Sequence, residues 1–97
     1  MPEFIQCRPD QIPSQAVVVH AWHAMGRVVA DVACSNCPRA EDYVIADFPR
    51  PVPLAIARAV EVCQICGLET IAVVVEEGLE WRRDWAPLKR QAEALSA

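Results

Sequence analysis

The chain has 97 residues, of which 54% are hydrophobic and 23% charged, and its formal net charge is −4. This composition predicts one globular domain over residues 1–97, because a disordered chain carries less apolar surface. The negative charge disfavours nucleic acid as a partner, since binding to a phosphate backbone needs clustered Lys and Arg. We see neither a signal peptide nor an apolar stretch of the ~20 residues that cross a bilayer. We therefore expect a cytoplasmic protein without a membrane partner.

The N-terminal part of the chain divides into an arm and an apolar segment. Residues 1–15 contain three prolines and predict an extended arm on the surface, docked by Phe4 and Ile5 or forming a short edge strand. Residues 16–24 contain three consecutive valines, which favours a strand because β-branched side chains pack well on a pleated sheet. A helix that starts at Ser14 and ends at Gly26 is the alternative for this segment. A strand places His20 and His23 on opposite faces, where they cannot bind one ion together.

Three further segments complete the first half of the predicted fold. Residues 27–33 indicate a second strand, entered through a turn at Gly26 and Arg27. Residues 43–48 indicate a third strand that returns antiparallel to it. Residues 49–53 contain three prolines, which lack an amide donor and fix φ, so we expect a stiff connector outside any sheet or helix.

The second half predicts helix, strand and helix. Residues 53–66 are apolar around a narrow polar stripe, which indicates a largely buried helix closed by Gly67. The unbroken apolar run in 69–76 predicts a central strand covered on both faces. Residues 84–96 carry apolar side chains at helical spacing, which predicts a C-terminal amphipathic helix. The fold class is therefore α+β, with a small antiparallel or mixed sheet of about four strands.

Four of the five cysteines form two CxxC pairs separated by 25 residues. Two such turns supply the four thiolates of a tetrahedral zinc site, so we expect a structural zinc within a metal-binding core over 27–76. The expected ligands are Cys34, Cys37, Cys63 and Cys66. With Gly67 after the second pair, this pattern resembles the zinc-ribbon group, in which two knuckles clamp one zinc ion beside a small antiparallel sheet. The resemblance implies a metal and a local architecture without a particular reaction.

Two alternatives to zinc remain for these cysteines. Cys63 and Cys66 are three residues apart near the end of an apolar helical run, so both side chains share one face of the helix. They could therefore pack in the protein core without a metal. A thiol redox or iron–sulfur role is the other alternative. A reactive CxxC normally opens a helix, where the dipole stabilises a thiolate, and neither pair has that position. Cys7, the unpaired fifth cysteine, fits a small packed residue.

A cluster of tryptophan and arginine stands near the C-terminus, at Trp81, Arg82, Arg83 and Trp85. The tryptophans are four residues apart, and Trp and Arg are enriched at protein interfaces. They are a candidate contact surface for another protein or for a second copy of the chain. Packing of both tryptophans over the end of a small core is the interpretation we favour, and an exposed ring would make this cluster the contact surface.

These patterns predict a non-enzymatic, zinc-stabilised protein-interaction module of unassigned pathway. The chain carries no recognisable hydrolase motif and no glycine-rich phosphate loop. A metal-free α+β domain with core cysteines, which binds a ligand or serves as a subunit of a complex, is the alternative function. A thiol redox or iron–sulfur protein is the third.

Overall fold

A computed structural model describes residues 2–34, 45–46 and 48–90 of the chain. Within them it has one helix and one mixed sheet, so the α+β class is confirmed. The elements in chain order are β1 (Glu3–Gln6), β2 (Val17–Ala24), β3 (Arg27–Cys34), β4 (Ile45–Ala46), β5 (Arg50–Pro51), α1 (Val52–Cys66), β6 (Thr70–Val75) and β7 (Lys89–Arg90). The strands are ordered β4-β3-β2-β6-β1-β7, and β5 also pairs with β3. The part of the chain that the structure describes contains no helix long and apolar enough to cross a membrane.

Strands β2 and β3 form an antiparallel hairpin, which confirms the strand prediction for residues 16–24. Ala24 pairs with Arg27, so Met25 and Gly26 make the turn, one residue earlier than predicted. Both turn residues have positive φ, at 52° and 78°, as in the two-residue turns whose twist matches that of the strands. The hairpin buries Val17, Val19 and other alternate side chains on the face that α1 covers.

Strand β6 lies in the middle of the sheet, as predicted, between β2 and β1 and parallel to both. Its alternate side chains enter two separate clusters, because successive residues of a strand point to opposite faces. Ile71 and Val73 belong to the main core, whereas Ala72 packs with a smaller group that includes Ile5. The unbroken apolar run therefore reflects burial on both faces.

Helix α1 agrees with the predicted range of 53–66 but is less buried than expected. Gly67 closes it with φ of 73°, and its amide bonds the carbonyl of Cys63. The helix packs one face on β2, β3 and β6, burying Val52, Ala55, Ala59, Val62, Cys63 and Cys66. Leu54 and Ile65 remain 59% and 43% exposed, because a single sheet covers only one side of a helix.

Three predictions need correction, and a fourth is confirmed for the residues that the structure describes. The N-terminal arm contributes the short strand β1, which was one of its two predicted forms, but β1 lies between β6 and β7 and not at the edge of the sheet. The proline connector also joins the sheet, since Arg50–Pro51 pairs with β3. The predicted C-terminal helix is wrong up to residue 90, where Lys89–Arg90 forms a strand against the free edge of β1. Of the predicted third strand, Ile45–Ala46 is paired with β3, and residues 43, 44 and 47, like residues 91–97, lie outside the described residues.

Candidate functional site: a cysteine cluster and a tryptophan cleft

Three of the four CxxC cysteines meet between the end of β3 and the last turn of α1. Cys34 is the last residue of β3, and its side chain lies on the sheet face that the helix covers. Cys63 and Cys66 are one helical turn apart, so both point toward the sheet. The Sγ atoms of Cys34 and Cys66 are 3.9 Å apart. We call Cys34, Cys63 and Cys66 the cysteine cluster.

The cysteine cluster is buried, and the pKa of one of its thiols is raised. All three side chains are at most 1% exposed, and all three are free cysteines. Burial, with a smaller contribution from nearby Cys34, raises the pKa of Cys63 to about 11. The Cys63 thiol points at the carbonyl oxygen of Thr70 at 3.9 Å. A thiol with so high a pKa is a poor nucleophile at neutral pH, which disfavours dithiol redox chemistry at this residue.

The resemblance to the zinc-ribbon group is wrong. Among residues 2–34, 45–46 and 48–90, no three His, Cys, Asp or Glu side chains form a group that could hold a metal ion. A zinc knuckle presents both thiols from one tight turn, whereas Cys63 and Cys66 lie on a regular helix and pack into the core. Cys37 lies outside the described residues. Cys34 and Cys66, one from each CxxC pair, do lie close together, but the architecture that joins them was not predicted.

The other cysteine and the two histidines lie apart from the cysteine cluster. Cys7 is buried with Ile5, Ala16 and Ala72, and its thiol donates toward the Ile5 carbonyl at 3.6 Å. His20 and His23 are both exposed on β2. As the strand prediction requires, they do not converge on one point.

Trp81 and Trp85 pack against each other at one end of the main core. Their rings meet edge to face with centroids 5.1 Å apart. The Trp81 indole donates a hydrogen bond of 2.8 Å to the carbonyl of Ala86, which fixes the loop that carries both rings. Each tryptophan is half-buried and contacts the core. The tryptophans therefore cover the end of the core, as one of the two interpretations of the sequence expected. Each ring also keeps one side open to solvent.

The two tryptophans form the wall of an open cleft beside the β2–β3 hairpin, which we call the tryptophan cleft. It is lined by Arg27, Val28, Glu80, Trp81, Arg82, Arg83, Asp84 and Trp85. Arg82 donates two hydrogen bonds to Asp84, at 3.1 and 2.8 Å. The Arg82 guanidinium also lies 5.7 Å from the centre of the Trp85 ring, within the range of a cation–π contact.

The charged side chains that line the cleft have a positive net charge. Arg82 and Asp84 neutralise each other, and Arg27 and Arg83 then face the single carboxylate of Glu80. The overall charge of −4 therefore does not describe this surface. Arg27 and Val28 were not predicted to belong to it, because they lie more than 50 residues from Trp81 and no local pattern connects them.

Comparison with known proteins finds no family model, no curated protein and no solved structure that matches this chain.

Proposed function

We propose that the chain is a non-enzymatic protein-interaction domain that binds an acidic, partly apolar peptide segment in the tryptophan cleft. The observation that carries the proposal is the pair of half-buried tryptophans set beside arginines in an open concave surface. Rigid aromatic rings provide large contact areas at low entropic cost, and Trp and Arg dominate the energetics of protein interfaces.

The chemistry of the cleft defines the partner. An apolar side chain would lie against the exposed edges of Trp81 and Trp85. A carboxylate beside it would meet Arg83 and Arg27, which are both exposed. Arginine binds carboxylates through two parallel hydrogen bonds, so this contact also orients the peptide.

The cysteine cluster has a structural role in this proposal. It fills the space between the end of β3 and the end of α1, and so supports the sheet on which the cleft is built. Free cysteine behaves as a small apolar residue when buried. Such packing is what the sequence led us to expect of the alternative function, a metal-free α+β domain with cysteines in its core.

Selection from a random peptide library displayed on phage tests the peptide-binding proposal. We expect enriched sequences with Asp or Glu next to an aromatic or aliphatic residue. A synthetic copy of the best sequence should bind the Arg83→Ala variant about tenfold more weakly, because a contact at the centre of an interface contributes more than about 1 kcal/mol. Arg8→Ala, at an exposed arginine of the loop after β1, is the matched control and should bind like the native chain. Selection without enrichment, or binders that are insensitive to both Arg83→Ala and Arg27→Ala, would show that the cleft is not the binding surface.

A structural zinc bound by Cys34, Cys37, Cys63 and Cys66, outside any zinc-ribbon architecture, is a second candidate for the cysteine cluster. It is favoured by the 3.9 Å between the Cys34 and Cys66 sulfurs, since ligands at about 2.3 Å in a tetrahedron lie about 3.8 Å apart. The described thiols do not complete such a site, because the Cys63 sulfur points at Thr70. Metal analysis of the purified chain, with melting curves before and after chelation, distinguishes a zinc site from packed thiols. Bound zinc and a lower melting temperature after chelation would favour the metal, and identical curves without zinc would favour packed thiols.

A further inference from the structure

The exposed side of α1 carries a stripe of four residues that begins and ends with an apolar side chain. Leu54 and Ile65 are the large exposed hydrophobic residues of the helix. Between them, Arg58 and Glu61 form an ion pair. At about 100° per residue these four positions fall within about 60° of arc, so they face one direction.

The order of these residues is symmetric about the middle of the helix. Leu54 and Ile65 lie at equal separations on either side of the midpoint between residues 59 and 60, and so do Arg58 and Glu61. When two copies of α1 pack antiparallel about a two-fold axis through that midpoint, Leu54 faces the partner's Ile65. Arg58 then faces the partner's Glu61, and each contact occurs twice. We propose that the chain forms a homodimer through this face of α1.

The surroundings of the stripe accommodate a second helix. A groove runs along this flank, lined by Arg50, Leu54, Ala57, Arg58 and Glu61. The small side chain of Ala57 allows a close approach of the backbones. Phe48, which is 88% exposed, stands two residues before Arg50 of the groove.

The charge pattern selects a second copy as the occupant. The stripe carries one positive and one negative side chain, so it is neutral although the whole chain has a net charge of −4. Each charge in the dimer lies opposite its complement, and each exposed apolar residue lies opposite another. An unrelated partner would have to reproduce this order, whereas a copy of the chain supplies it through the symmetry of the sequence.

Sedimentation equilibrium of the full chain over a range of concentrations tests the homodimer. We expect the weight-average mass to rise from the 10.7 kDa of one chain toward twice that value. Arg58→Glu or Glu61→Arg alone places like charges opposite each other at two symmetric positions and should weaken the dimer about tenfold. The double variant R58E/E61R restores opposite charges at both positions and should recover the native dissociation constant.

The control is Glu77→Arg, which makes the same charge change at an exposed position in the turn after β6. It should dimerise like the native chain, and circular dichroism should show all variants folded. A single mass of one chain at every concentration would overturn the proposal. So would a dimer that both single variants leave intact, or one that the single variants weaken and the double variant does not restore.

Discussion

Replacing Cys34 by serine and by alanine tests whether the cysteine cluster is a dry core. Cys34 is 1% exposed, and its sulfur lies 3.9 Å from the sulfur of Cys66. Cys34→Ala removes one sulfur of about the size of a methyl group, so it should cost about 1 kcal/mol of unfolding free energy. Cys34→Ser buries a hydroxyl without a good partner, which costs about 1–3 kcal/mol in addition.

Thermal melting followed by circular dichroism measures both variants. With about 4–8 °C per kcal/mol for a domain of this size, the alanine variant should melt several degrees below the native chain and the serine variant lower still. Cys7→Ser is the matched control, because a hydroxyl there can donate to the Ile5 carbonyl that the thiol approaches at 3.6 Å. Cys7→Ser should lower the melting temperature less than Cys34→Ser does. A serine variant at Cys34 as stable as the alanine variant would refute a dry cluster, and an equal, large loss in both variants would indicate a metal ligand.

Two further predictions concern the core and its pH dependence. Ile71 is fully buried in the central strand, so Ile71→Ala should cost about 2–5 kcal/mol in chemical denaturation, whereas Ile12→Ala, at a 38% exposed position, should cost about 0.5 kcal/mol or less. Equal losses would contradict the assigned core. The folded chain raises the pKa of Cys63 from 9.0 to about 11, so the unfolded chain loses that proton first as the pH rises. The free energy of unfolding should therefore fall from about pH 9 to pH 11, and Cys63→Ala should show a smaller decline; an equal decline would exclude Cys63 as its source.

Local sequence patterns were sufficient to predict the elements that carry a clear apolar pattern of their own. The valine run of β2, the apolar face of α1 and the uniform run of β6 each carry their own periodicity. The left-handed Gly67 marks the end of α1 in both sequence and structure.

The details that were missed depend on tertiary contacts that leave no local pattern. Strand β1 was expected at most at the edge of the sheet, but it pairs with β6, more than 60 residues later, and with β7, and no pattern within residues 1–15 predicts those contacts. The apolar side chains in residues 84–90 recur at helical spacing, but Pro87 lacks the amide donor that a helix needs. Lys89–Arg90 instead pairs with the edge of β1. The Lys89 ammonium also reaches the Glu3 carboxylate at 2.5 Å.

The candidate sites show the same division. The CxxC spacing led us to expect that the two pairs meet, and one thiol of each pair, Cys34 and Cys66, does so because β3 and α1 pack on each other. It left open whether Cys63 and Cys66 lie in a tight turn or pack along a helix, since a spacing of three suits both. The tryptophans were recognised from composition, but their hairpin neighbours Arg27 and Val28 follow only from the tertiary structure.

The central claim is that Cys34, Cys63 and Cys66 are buried together between β3 and α1. Alkylation of the native protein, with each modified cysteine identified by mass spectrometry, tests it most directly. We predict that these three thiols stay unmodified under native conditions and react together once denaturant unfolds the chain. Modification of any one of them in the native protein at its rate in the denatured protein would contradict the account.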